Sequence, residues 1–146
     1  MRSFLVGLAV AGALIACSSS TDVSVAAKAS LDRHQAQWAQ RTFSAYSFDL
    51  FQEKFGGFSD VHITVNGTAI ASVIDRTTGE PPVVDVGYST IDELFATAQA
   101  AFGQKSTTLR VEFNEQYGYP TVVVINNPGT PAGPSSTQVS NLAPTD

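Results

Sequence analysis

Period-two alternation marks two segments of this chain. Tyr46, Phe48 and Leu50 are separated by Ser47 and Asp49, and Leu109, Val111 and Phe113 by Arg110 and Glu112. Successive side chains on a strand point to opposite sides, so each segment predicts a strand with one buried and one wet face. Residues 121–125 (Thr-Val-Val-Val-Ile) are β-branched throughout, the pattern of a central strand covered on both sides. Between Phe113 and that run lies a polar stretch carrying Gly118 and Pro120, which reads as a hairpin loop longer than two residues.

A second hairpin spans residues 61–74 around Asn66-Gly67, the strongest short-range hairpin signal. A type I′ turn centred there sets Val65 opposite Thr68, Ile63 opposite Ile70 and Val61 opposite Ser72. His62 then points away from the buried face, opposite Ala71. Two helices complete the pattern. Thr90-Ile91-Asp92-Glu93 has the form of a capping box, and Ile91, Leu94, Phe95, Ala98, Ala101 and Phe102 make one apolar stripe ended by Gly103 at C′. Ser30 is the expected N-cap of a first helix over residues 31–41, with Trp38 as its core anchor. Residues 77–87, with Pro81-Pro82, read as a connecting loop, residues 127–136 as another, and residues 137–142 as a short edge strand. The order α-β-β-β-α-β-β(-β) implies an α+β fold. Five or six antiparallel strands are expected, with two helices on one face, in a single domain over residues 30–146.

Composition adds that the chain folds: 146 residues, 43% hydrophobic and 14% charged, suit one core. A formal charge of -5 leaves no basic stripe for phosphates, which excludes a nucleic-acid partner. The start of the chain sets the expected address. Arg2 precedes an apolar run over residues 4–15 that is too short to span a bilayer. Leu14-Ile15-Ala16-Cys17 then resembles the lipobox of bacterial lipoprotein signal peptides. That resemblance implies cleavage before Cys17 and acylation of its sulfur, with palmitate or a similar chain. Residues 1–16 are then a signal peptide, and residues 17–29 the lipidated Cys and a flexible Ser/Thr/Ala tether. The body is expected on the cell membrane or outer membrane, in the periplasm or outside the cell. Two or three acyl chains make a lasting anchor. Cys17 is the only Cys, so no intramolecular disulfide can form.

Chemistry-bearing residues are few. His34 and His62 are the only histidines, with no third ligand at metal spacing. No Gly-x-Ser-x-Gly elbow, phosphate loop or dinucleotide fingerprint is present. Glu112 and Glu115 flank the hairpin loop and have the residue type of a glycosidase pair, but exposed strand-end charges account for them as well. No metal, cofactor or catalytic role is expected. The candidate interaction loop is Tyr117-Gly118-Tyr119-Pro120. Two tyrosines on a Pro-stiffened turn suit a recognition surface. The same residues suit a structural staple, with Gly118 at positive φ and Pro120 opening a strand.

Trp38, then Tyr46-Ser47-Phe48, Thr90-Ile91-Asp92-Glu93-Leu94-Phe95 and Gly118-Tyr119-Pro120-Thr121 together resemble the family called domain of unknown function 6174. These are small bacterial envelope proteins, many of them lipoproteins, and the resemblance covers residues 31–142. It implies a Cys pair after the first strand and acidic residues after the last long one. Here Lys54-Phe55-Gly56-Gly57-Phe58 and Asn126-Asn127-Pro128-Gly129 stand in those places, so neither a disulfide nor a cation site carries over. The family name brings no activity. The expected function is a non-catalytic binding or scaffold lipoprotein that contacts another envelope protein. An inhibitor of an envelope hydrolase is the alternative, and a small hydrolase using His62 or Glu112 the third.

Overall fold

The computed structural model describes residues 20–54, 56–104, 107–128 and 133–145, with side chains from Ala27 onward. Cys17 and the leader lie outside the described residues. The elements run α1 (Ser20–Ala39), β1 (Ala45–Lys54), β2 (Gly57–Asn66), β3 (Ala69–Asp75), α2 (Ile91–Phe102), β4 (Thr108–Phe113), β5 (Pro120–Asn126) and β6 (Ser135–Pro144). All strand pairs are antiparallel, in the order β3-β2-β1-β6-β5-β4. This is the expected α+β class.

Both helices cover the same face. Leu31 and Trp38 of α1 and Ile91, Leu94, Phe95 and Ala98 of α2 are buried with Tyr46, Phe48, Leu50, Val61, Ile63, Val65, Val123 and Val139 of the strands. α2 is closed at its start as the sequence implies. Thr90 Oγ1 accepts from the Glu93 N–H at 3.2 Å, and Glu93 Oε2 accepts from the Thr90 N–H at 2.7 Å. Two otherwise unpaired amides are thereby satisfied. Gly103 ends the helix as its C-cap at φ -79°, in the right-handed region, so it is not a left-handed C′ residue.

Four further expectations are corrected. α1 begins at Ser20, ten residues before the expected Ser30 cap, and so absorbs most of the stretch read as a tether. Residues 20–39 contain no Gly or Pro to break it, and the Lys28–Asp32 pair at 2.6 Å supports it one turn apart. Ser30 lies inside the helix. The last strand is central, not an edge: β6 pairs with β1 on one side and β5 on the other. Strand periodicity reports which residues face the core and nothing about which strand lies alongside, so this insertion leaves no trace in the pattern.

The Asn66-Gly67 hairpin has a different register from the one expected. Asn66 pairs with Ala69, so the central residues are Gly67 and Thr68, and φ is positive (+63°) only at Gly67. That is the type II′ pattern, with Gly first. A bulge follows, so that Val65 faces Ile70 but Ile63 faces Val73 and His62 faces Ile74. The buried set Val61, Ile63 and Val65 is unaffected. Residues 121–125 are covered on one face only. Val123 is buried toward the helices, while Val122 and Val124 remain half-buried on the open face.

Candidate functional site

The 114–119 hairpin loop is packed against α1. Asn114 Oδ1 accepts from the N–H groups of Gln116 (3.0 Å) and Tyr117 (2.8 Å), folding the loop back on itself. From α1, Gln37 Nε2 donates to the carbonyls of Glu115 (2.9 Å) and Gln116 (3.2 Å). Gly118 has φ +80°, and a Cβ there would lie 2.7 Å from the His34 carbonyl oxygen. Only Gly permits both that conformation and that approach. Tyr119 is 6% exposed, edge-on to Trp38 with ring centroids 6.1 Å apart, and Pro120 is fully buried. Tyr117 is half-buried, edge-on to Phe43 at 5.3 Å. Burial, with Tyr117 nearby, pushes the Tyr119 phenol up. Of the candidate interaction loop, then, only part of Tyr117 faces solvent, and Tyr117, Gly118, Tyr119 and Pro120 act together as a staple between the β4–β5 turn and α1.

His34 belongs to the same staple. Its Nδ1 donates to the Ser30 carbonyl at 2.8 Å, and its ring stacks on Phe113 with centroids 4.0 Å apart. Trp38 is anchored too. Its Nε1 donates to Asp92 Oδ1 at 3.1 Å, and the Arg41 guanidinium lies over its ring while donating to Asp92 Oδ2 at 3.2 Å. Cation–π and ion-pair geometry together lock the α1 end to the start of α2.

A polar cluster that sequence reading missed crosses the open face of the sheet. Asp49 of β1 is 8% exposed. Its Oδ1 accepts from His62 Nδ1 at 2.7 Å, and its Oδ2 accepts from Asn141 Nδ2 at 2.8 Å and faces Arg76 Nη2 at 3.4 Å. Arg76 also pairs with Asp60 at 2.7 Å. Asn141 is the one described non-glycine residue at positive φ (+53°), in a bulge where β6 slips between Ser47 and Asp49. Asn tolerates that region best among residues with a side chain. Burial alone would raise the Asp49 carboxyl, but the Asn141 amide, His62 and Arg76 outweigh it and hold the carboxyl below its usual 3.8. The group is thus a saturated carboxylate that ties β1, β2 and β6 together. Period-two phase places Asp49 and His62 on the outward faces; their pairing needed the register.

Glu112 forms an ion pair with Arg110 on the outward face of edge strand β4, and Glu115 is exposed in the loop. The structure does not bring His34 and His62 together: one stacks on Phe113 under α1, the other lies on the open face. Among the described residues no group of three His, Cys, Asp or Glu is placed to hold a metal ion.

Two concavities stand out. One, of about 140 Å3, lies between α1 and β4, lined by Ala27, Ser30, Leu31, Phe102, Leu109, Val111 and Phe113. The other, of about 240 Å3, opens at the β1–β2 end of the sheet against the loop after β3, lined by Gln52, Lys54, Gly57, Phe58, Ser59 and Val86. Neither includes His62 or Glu112. The second was visible in outline. Gln52 and Lys54 continue the inward phase of Tyr46, Phe48 and Leu50, and two polar residues on an apolar face are a signal.

No curated protein matches the chain. The model of a family of unknown function (DUF6174) matches residues 30–142, which takes in the staple, the open-face cluster and the pocket, and the chain belongs to that family.

Proposed function

We propose that the chain is a lipid-anchored protein of the bacterial cell envelope, held to the cell membrane or outer membrane through Cys17, whose body binds and does not catalyse. The observation that carries this reading is the leader: Arg2, the apolar run of residues 4–15, and Leu14-Ile15-Ala16-Cys17 in that order. The body supports it. Asp49 has both oxygens engaged by its neighbours, so the strongest charged cluster serves the fold. α1 starts three residues beyond Cys17, and a 20-residue helix is about 30 Å long. On this reading only its first turns, before Leu31 enters the core, form a short stiff stalk at the anchor, in contrast to a flexible tether. The inhibitor alternative rests on a projecting aromatic hairpin, and with Tyr119 and Pro120 buried it has no observation behind it.

Metabolic labelling with palmitate, followed by membrane fractionation, tests the anchor. The wild-type chain takes up label and sediments with membranes, and Cys17→Ser does neither. Label entering the Cys17→Ser protein would overturn the reading.

A further inference from the structure

The loop between β3 and α2 has a backbone that is held and apolar side chains that are not. At its start, the Gly79 N–H donates to the Asp75 carbonyl and the Asp75 N–H to the Glu80 carbonyl, each at 2.8 Å. Asp75 Oδ1 also accepts from the Thr77 and Thr78 amides, at 2.8 and 3.0 Å. At its end, Asp85 Oδ1 accepts from the Gly87 N–H at 2.8 Å, and Lys54 Nζ of β1 donates to the Gly87 carbonyl at 3.3 Å. Between these ties Val83 is fully exposed, Val84 65% and Val86 41%. One exposed valine needs no explanation. Three within four residues, on a loop fixed at both ends, make an apolar patch that the fold does not bury.

The patch has a definite place. Register sets Glu53 opposite Ser136, Ser135 opposite Ile125 and Ile125 opposite Leu109, so Lys54 and Leu109 lie at one end of the sheet. Tyr46, Phe113 and Pro120 lie at the other. α1 runs between the two ends. Its Trp38 packs on Tyr46 and Tyr119, its His34 stacks on Phe113, and its Ala27 and Leu31 reach Leu109. The start of α1 therefore points past the Lys54 end. Ser20 lies seven residues before Ala27, about 10 Å further out, and Cys17 is three residues before Ser20, within roughly another 10 Å. Val86 and Gly87 stand at that same end, against Lys54 and Gly57. So does Phe58, 77% exposed on the rim of the 240 Å3 concavity. The large hydrophobic residues exposed among the described residues thus gather at the end of the body from which the chain leads to Cys17.

We propose that the 83–86 loop enters the lipid surface that holds Cys17, as a second, non-covalent contact that fixes how the body stands on the membrane. This rests on the anchor reading above. The two contacts lie on opposite margins of one end, the start of α1 beside β4 and the loop beside β1 and β2. Three valines are too few for a free protein partner, since specific interfaces engage roughly 20–30 residues a side. A lipid surface needs less, because the anchor keeps the loop at high effective concentration beside it. Residues 77–90 contain no Lys or Arg, so the contact is apolar and takes zwitterionic lipid as readily as anionic lipid.

The test places a fluorophore on the loop. The full Val84→Cys chain, purified with its lipid from membranes, is reacted with an NBD maleimide and reconstituted into phosphatidylcholine vesicles, with and without nitroxide on the acyl chains. Acylated Cys17 has no thiol, so the wild type should take no label. Thr68→Cys, exposed in the turn at the opposite end of the sheet, is the reference. The label at position 84 should emit to the blue of the one at position 68, and nitroxide should quench it at least twofold more. Adding Val83→Ser and Val86→Ser should abolish both differences, and high salt should abolish neither. A far-ultraviolet spectrum equal to the wild type qualifies each chain. Equal quenching at positions 84 and 68, in a chain that floats with the vesicles, would overturn the inference and leave the anchor standing. A blue shift without quenching would overturn it in favour of a protein contact. Label on the wild type would mean a free Cys17 thiol, and both the anchor reading and this inference would fall.

Discussion

The 114–119 loop and the β1–β2 end of the sheet carry opposite balances of polar and apolar groups. In the loop the amides of Asn114, Gln116, Tyr117 and Gly118 are satisfied, the rings of Tyr119 and Trp38 meet edge to face, and Gln37 closes the contact from α1. At the β1–β2 end, the buried Gln52 Nε2 has no partner, Lys54 Nζ donates only to the Gly87 carbonyl among the described residues, and the Phe58 ring faces water. The first region draws the eye in the sequence, because Tyr-Gly-Tyr-Pro is an unusual string. Its oddity is what close packing demands: a Gly that fits under a helix, a Pro that starts a strand, and a ring that fills the gap. The second region reads as an ordinary Gly-rich turn and a Pro-Pro loop. Unusual composition therefore marks tight structural requirements here, and ordinary composition conceals a buried amide without a partner.

The largest expected effect lies in the loop. Tyr119→Ala should lower stability by about 3–4 kcal/mol, as truncation of a buried aromatic does, in urea unfolding of the full chain. A loss below 1 kcal/mol would break the comparison, because the ring would then be free for recognition. Gly118→Ala comes next, at about 2–3 kcal/mol. Positive φ alone disfavours a Cβ by about 1 kcal/mol, and the approach to the His34 carbonyl forces the helix and loop apart as well.

The open face offers a third point on the same scale, between the two regions. Asp49 has a pKa held below 3.8 in the folded chain, so the folded state favours its charged form. Its contribution is present at neutral pH and is lost as pH falls through that depressed titration, below 3.8. Asp49→Asn should cost about 1–2 kcal/mol at neutral pH, since His62 and Arg76 lose their charged partner. It should also flatten the acid limb of the stability profile. An unchanged acid limb would mean that other carboxylates control it. Smallest of all is Phe58→Ser, expected within about 0.5 kcal/mol of the wild type in the same urea assay. A loss beyond 1 kcal/mol would show that the rim supports the core.

Much of the fold was legible because its signals are local. The Thr90–Glu93 capping box, the stripe of α2, and the inward phases Tyr46-Phe48-Leu50 and Val61-Ile63-Val65 all appear where the pattern places them. Properties set by distant partners were not legible. β6 lies between β1 and β5 because those strands present the complementary edges, a fact of topology that no window of the chain contains. The β2–β3 register slipped because the turn uses Gly67 first, not second, and a bulge absorbs the difference. The Asp49 cluster depends on a β6 bulge that swings Asn141 across the sheet, and so was hidden for the same reason. Gln52 and Lys54 are the exception. Their inward phase was readable, but it takes the burial of Gln52 to show that its amide has nowhere else to turn.

The central claim is that the β1–β2 end keeps the buried Gln52 amide at the expense of stability while the hairpin loop commits Asn114, Gly118 and Tyr119 to the fold. Thermal unfolding of Gln52→Leu tests this most directly. Replacing a buried unpaired amide by an apolar side chain of similar size should leave the midpoint unchanged or raise it, by about 4 °C for each kcal/mol gained. A midpoint several degrees below the wild type would mean that Gln52 is satisfied in the folded chain, and the contrast between the two regions would fail.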